Sequence, residues 1–146
     1  MSIFRQALIA HLKADADIAS IIGAKVYGYL APQNANLPFL VVSRVGGTTM
    51  RNLSGQQGVK DEAWQVSCYS KKDYQAEELA DAVIQSLDKM QPYTMTPDSG
   101  VTTFTVDNSL LESVGGDIEQ VKGNGSETKT VHKPLTFRIL RSINAN

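Results

Sequence analysis

The sequence holds one cysteine, two histidines and one tryptophan in 146 residues, and each shortage excludes something. A lone Cys68 cannot close an internal disulfide. One thiol and two histidines leave too few ligands for a zinc centre unless the fold adds carboxylates. Neither sign of charge dominates: 14 Lys+Arg against 15 Asp+Glu leave a net charge of −1. No global field therefore draws the chain to nucleic acid or to anionic lipid. No apolar run approaches the ~18 residues that span a bilayer. Met1-Ser2-Ile3-Phe4-Arg5 lacks the apolar stretch and small-residue cleavage site of a signal peptide. The expectation is a soluble protein, made in a reducing cytoplasm, with no membrane contact.

Catalytic groupings are also missing. His11 borders an apolar helix stripe and His132 stands at a strand start beside Lys133, so both read as structural or solvated. Glu77 and Asp81 have the i, i+4 spacing of an acid/base pair, but they share a polar helix face with no apolar wall to raise a pKa. The segment 123–129, with Gly123, Gly125 and Lys129, lacks the glycine-lysine-hydroxyl ending of a phosphate loop. No nucleophile elbow is present. Arg44, Arg51, Lys60, Lys71 and Lys72 lack the interleaved aromatics of a nucleic-acid platform. No catalytic, cofactor-binding or metal-binding residue is assigned, and the expectation is no enzyme and no cofactor.

What is present is a chain long enough for one domain, 1–146, that buries roughly 70% of its unfolded surface. Phe4, Leu8 and Leu12 recur every four residues, with Ala7 beside them, and predict a helix over 3–13. Asp15 caps a short second piece whose Ile18, Ile21 and Ile22 turn inward and which Gly23 ends. Strands follow at 25–30 and 39–45, joined by a surface connection that Pro32 and Pro38 bracket. Trp64, Val66 and Cys68 alternate with Gln65, Ser67 and Tyr69 in a half-buried strand over 60–69. Cys68 reads as a small buried hydrophobe. Ala76, Leu79, Ala80, Val83 and Leu87 make the stripe of a helix that begins near Asp73 and stops before Pro92. Thr102, Phe104 and Val106, then Leu135, Phe137 and Ile139, alternate as strands. The fold class is α+β: two main helices on one face of a mostly antiparallel sheet, with long projecting loops.

Two polar stretches interrupt this order. Residues 46–58 hold four glycines, with Met50 and Leu53 as the sizeable apolar side chains, and read as a flexible exposed loop or loose hairpin tip. Residues 115–130 read as a projecting hairpin with Asn124-Gly125 at its turn. Ile118 and Val121 there are too sparse to build a core. With Lys122 and Lys129 they join Arg44, Met50, Arg51 and Leu53 as candidate interface residues.

The order of these pieces resembles the tail terminator, or tail-completion, proteins of long-tailed phages and prophages. The matching pieces are Ile21-Ile22-Gly23 with Val26-Tyr27, Ala31-Pro32-Gln33, Leu37-Pro38-Phe39-Leu40-Val41-Val42, Leu53-Ser54-Gly55, Trp64-Gln65-Val66-Ser67-Cys68-Tyr69 and Tyr74-Gln75-Ala76-Glu77-Glu78-Leu79-Ala80-Asp81-Ala82-Val83. Leu135-Thr136-Phe137-Arg138-Ile139 resembles the family's closing strand. The resemblance implies a virion protein at the head-proximal end of the tail, assembled in the host cytoplasm. It implies a homo-oligomeric ring, typically a hexamer, that caps the tail tube, stops its growth and meets the head connector or head-completion protein. DNA then only passes through the lumen. Near-neutral charge suits that passage, because a strongly basic channel would hold phosphates. Two other readings stay open: a small-ligand-binding α+β module, or another phage neck or minor tail component.

Overall fold

A computed structural model describes residues 3–32, 35–51, 57–97, 103–115, 118–121 and 129–142. Three helices, α1 (Ile3–Ala14), α2 (Ala16–Ile22) and α3 (Asp73–Leu87), accompany seven strands. These are β1 (Val26–Gly28), β2 (Phe39–Arg51), β3 (Gln57–Ser70), β4 (Tyr93–Met95), β5 (Phe104–Val114), β6 (Ile118–Val121) and β7 (Lys129–Ser142). They form one sheet in the order β1-β2-β3-β7-β5-β4, with β6 also on β7. Every pair is antiparallel except β1 with β2. The α+β class holds, with that one parallel edge.

Local chemistry explains the helix ends. Asp15 Oδ1 accepts from the amides of Asp17 and Ile18, satisfying donors that the first turn of α2 leaves open. Gly23, at φ +67, carries the chain out of α2 where a side chain would be strained. The stripe of α3 buries Ala76, Leu79, Ala80, Val83 and Leu87, as its period requires.

The period of two sorts β3 and β7. Trp64, Val66 and Cys68 share one core with Leu135, Phe137 and Ile139, with Leu40 and Val42 of β2, and with Phe4, Leu8 and Leu12 of α1. The Phe4 ring meets Trp64 and Phe104 edge-on at 5.7 and 5.3 Å. Helix α1 touches both outermost strands, β1 and β4, so the sheet curls around it.

The polar loop expected over 46–58 is corrected. Residues 46–51 and 57–58 are strand, paired from Gly46 opposite Ala63 out to Arg51 opposite Gln57. Glycine and threonine read as loop when taken alone, yet a partner strand satisfies their backbone groups all the same. The strand expected over 25–30 is likewise shorter. It stops at Gly28: the Tyr29 amide still donates to the Val42 carbonyl at 2.9 Å, and its φ of +62 then turns the chain away. Strand β4 has no counterpart in the sequence reading. In the second polar stretch, Ile118–Val121 pairs with residues 129–132, while Asn124 and Gly125 lie outside the described residues.

Candidate assembly surface

The core face of the sheet ends in charge. Glu62, almost fully buried, takes Arg141 Nε at 2.7 Å on one carboxylate oxygen and Arg44 Nε at 3.2 Å on the other. The Arg141 guanidinium also lies 4.6 Å above the Phe4 ring and 5.3 Å from that of Phe104. Ionic and aromatic contacts thus hold one cation where water is scarce.

The next residue, Asp61, points to the opposite face because strand side chains alternate. There Arg138 grips it with Nε at 2.8 Å and Nη2 at 2.7 Å, and Arg138 Nη1 reaches Glu112 at 3.6 Å. The guanidinium hydrogen bonds hold the Asp61 carboxyl below the ordinary carboxylate range. Gly47, Asp61, Ala63, Glu112 and Arg138 surround a shallow hollow of about 210 Å³.

Along the other end of that face runs a row of rings. Tyr27 lies 5.7 Å from Phe39, Phe39 stacks on Tyr69 at 5.0 Å, and Tyr69 stacks on His132 at 4.4 Å with the planes 2° apart. The row crosses β1, β2, β3 and β7, each ring on the neighbour of the last strand. Burial pushes the His132 pKa down, and its Nε2 finds no partner among the described residues. His11 sits differently, with Nε2 3.2 Å from the Ser86 carbonyl and 3.1 Å from Ser86 Oγ, and burial lowers its pKa too. Both histidines therefore favour the neutral form. Burial drives the Cys68 thiol up to about 12, which leaves it inert.

Of the interface residues drawn from sequence, Arg44 is exposed on β2 and tied to Glu62. Met50 and Arg51 continue β2, Ile118 and Val121 bound β6, and Lys129 opens β7. Leu53 and Lys122 lie outside the described residues. The structure puts Arg44, Met50 and Arg51 on one strand at one side of the sheet, and Ile118, Val121 and Lys129 on two paired strands at the other. Sequence reading missed Leu30 and Met90, which are 83% and 80% exposed, and the Asp61–Arg138–Glu112 chain. Leu30 follows the strained Tyr29, whose ring lies 4.3 Å from the Arg5 guanidinium carbon. Another hollow, of about 440 Å³, is lined by five consecutive residues, Lys89 to Tyr93.

Among the described residues no group of three or more His, Cys, Asp or Glu is placed to hold a metal, and no helix is long and apolar enough to cross a membrane. No curated protein sequence matches the chain. Among solved structures, a chain of the "Virion of native gene transfer agent (GTA) particle" superposes with a TM-score of 0.62, covering 94% of each chain at 16% identity, a likeness of fold. The sequence itself matches the profile described as "Tail completion protein gp17" over residues 6–114, from α1 to the end of β5. That span takes in both helix-bearing thirds of the core and most of the sheet, and the chain belongs to this tail completion family of structural virion tail proteins.

Proposed function

We propose that the protein is a tail terminator: it closes into a ring, a hexamer, on the last layer of a finished tail tube. The ring ends tube polymerisation and offers its far side to the head connector or head-completion protein. Membership of the tail completion family carries this reading. The chemistry of the surface supports it, because the described buried carboxylates are bound to arginines of the same chain. Specificity then comes from shape and from where the strands end. Arg44, Met50, Arg51, Ile118, Val121 and Lys129, with Leu53 and Lys122, are the proposed contact positions. DNA passes through the lumen with little retention, in keeping with a net charge of −1.

The test adds purified protein to growing tail tubes and follows tube length and end structure by electron microscopy. Arrested tubes with a ring at one end are expected. Tubes that grow past the protein and bind it nowhere at their ends would refute the proposal.

A further inference from the structure

Helix α3 has no basic residue in its last turn, and Asp88 rather than glycine follows it, so its final carbonyls draw donors from elsewhere. The Asp88 amide serves the Ile84 carbonyl at 2.7 Å, and Ser109 Oγ of β5 serves that of Leu87. The Ser86 carbonyl meets the His11 ring of α1, with Nε2 at 3.2 Å. A carbonyl only accepts, so Nε2 carries the hydrogen. Nδ1 is then the nitrogen left to take up a proton in acid.

The same ring lies 5.5 Å from the Tyr93 ring of β4. The Tyr93 hydroxyl bonds Ser109 Oγ at 2.7 Å, and Lys89 exchanges two backbone bonds with Ser109 at 2.7 and 2.8 Å. These contacts fasten residues 89–95 to the body of the protein, and little else does. Residues 89–92 are exposed and, with Tyr93, line the hollow of about 440 Å³. Strand β4 gives three residue pairs to β5, and Met95 is the buried side chain of the segment. A segment with so few buried contacts opens more readily than the sheet beneath it.

His11 is the group at this junction whose charge changes in mild acid. The Lys89 ammonium stands 5.3 Å from the Tyr93 ring, against which His11 also lies, and opposes a second positive charge there. Asp15 favours protonation, but its Oδ1 is taken by the amides of Asp17 and Ile18. Helix α3 turns the uncharged Ser86 to the ring, and Asp88 beyond it accepts from the Leu111 amide. Strand β4 offers Tyr93, a phenol that burial keeps protonated, and β5 offers Ser109 behind it. Among the described residues no carboxylate bonds the imidazole. Burial outweighs the pull of Asp15, so the folded ring resists the proton.

We propose that residues 89–95 are an acid-released strap, fastened over the β5 edge by the neutral His11 ring. In the closed form the imidazole bonds Ser86 and packs against Tyr93. Uptake of a proton favours the form in which the imidazolium reaches water, and the thinly held segment is the part that yields. Its release uncovers β5 at residues 104–106, where Tyr93 to Met95 pair with it, while α3 and the central strands stay in place. The closed form is fully favoured above the solvated value of 6.5 and loses ground as pH falls through the folded one. The strap does not depend on the tail-terminator reading above.

Hydrogen exchange, followed amide by amide by NMR at about pH 7.5 and about pH 5 and corrected for the intrinsic effect of pH, tests it. The amides of Lys89 and of residues 93–95 should lose protection in acid several-fold, up to about thirtyfold, the ceiling that an open-form value of 6.5 sets at pH 5. The amides of Trp64 to Val66 in β3 should change by less. His11→Gln, which can still donate to Ser86 but does not titrate, should abolish the strap's response, and His132→Phe should keep it. Equal loss in the strap and in β3, an unchanged strap, or a response that survives His11→Gln would overturn the proposal. If His11→Gln does not fold, the His11 ring signals of the wild type supply the check. Strap exchange that fails to follow their titration overturns it too.

Discussion

Glu62 and Arg141 hold each other at 2.7 Å with both side chains over 90% buried, 79 residues apart in the chain. The pair seals the end of the core, since Arg141 also covers the rings of Phe4 and Phe104. Removing one partner leaves an uncompensated charge away from water. Glu62→Ala should therefore cost about 3–5 kcal/mol in a urea titration. Arg44→Ala removes the more exposed partner of the same carboxylate and should cost under about 1 kcal/mol. Equal losses for the two variants would show that burial does not set the hierarchy.

Asp61 and Arg138 give a pH signature. The folded carboxyl titrates below its unfolded value of 3.8, held down first by the Arg138 hydrogen bonds. Its stabilisation is present above the unfolded value and is lost as pH falls through the folded one. The Tm gap between the wild type and Arg138→Met should stay constant from neutral pH to about pH 5 and close below about pH 4. A gap that widens on acidification would contradict the assignment.

The histidines act at milder pH. Burial lowers the folded pKa of both His11 and His132 from 6.5, so the unfolded chain takes up protons first as pH drops. Stability is complete above 6.5 and declines as pH falls from there through the folded values. His132→Phe keeps the stack on Tyr69, removes the unpartnered Nε2 and should flatten part of that decline. At pH 7 it should be neutral or up to about 1 kcal/mol more stable by thermal melt. A loss of several kcal/mol would mean that the nitrogen has a partner in the folded protein.

Gly115 marks the break between β5 and β6. Its amide donates to the Pro134 carbonyl at 2.7 Å, and an added Cβ would fall 2.4 Å from Pro134 Cγ and 3.2 Å from the Pro134 oxygen. Gly115→Ala should cost about 1–3 kcal/mol through overpacking, measured by chemical denaturation. Gly46→Ala has open space around its new methyl group and serves as the control.

Cys68, with its thiol pushed up to about 12, should resist iodoacetamide at pH 8 for as long as the fold is intact. Labelling should appear only as denaturant unfolds the chain, with the midpoint seen by circular dichroism. Rapid modification of the native protein would place the thiol at the surface.

Much of this architecture was legible where a single element carries its own pattern. The Asp15 cap, the stripe of α3 and the alternation Trp64-Val66-Cys68 needed nothing beyond periodicity and capping chemistry, and all stand in the fold. The stretch 46–51 was not legible, because Gly46, Gly47, Thr48 and Thr49 take strand geometry only when β3 supplies the other half of the ladder. Strand β4 is three residues long, too short to show a period, and depends on β5 for its existence. The resemblance to tail-completion proteins lay in the order of the elements and agrees with the family match. Arg44 was singled out from sequence, whereas Glu112 was not, since nothing local separates it from other surface acids.

By itself the sequence determined the helices, the alternating strands, the burial of Cys68 and the family, because these depend on residues within a few positions of one another or on their order. Only the tertiary structure decided which carboxylate meets which arginine. Those relationships join residues tens of positions apart. They arise from strand register, which packing of the whole core sets and no local pattern encodes.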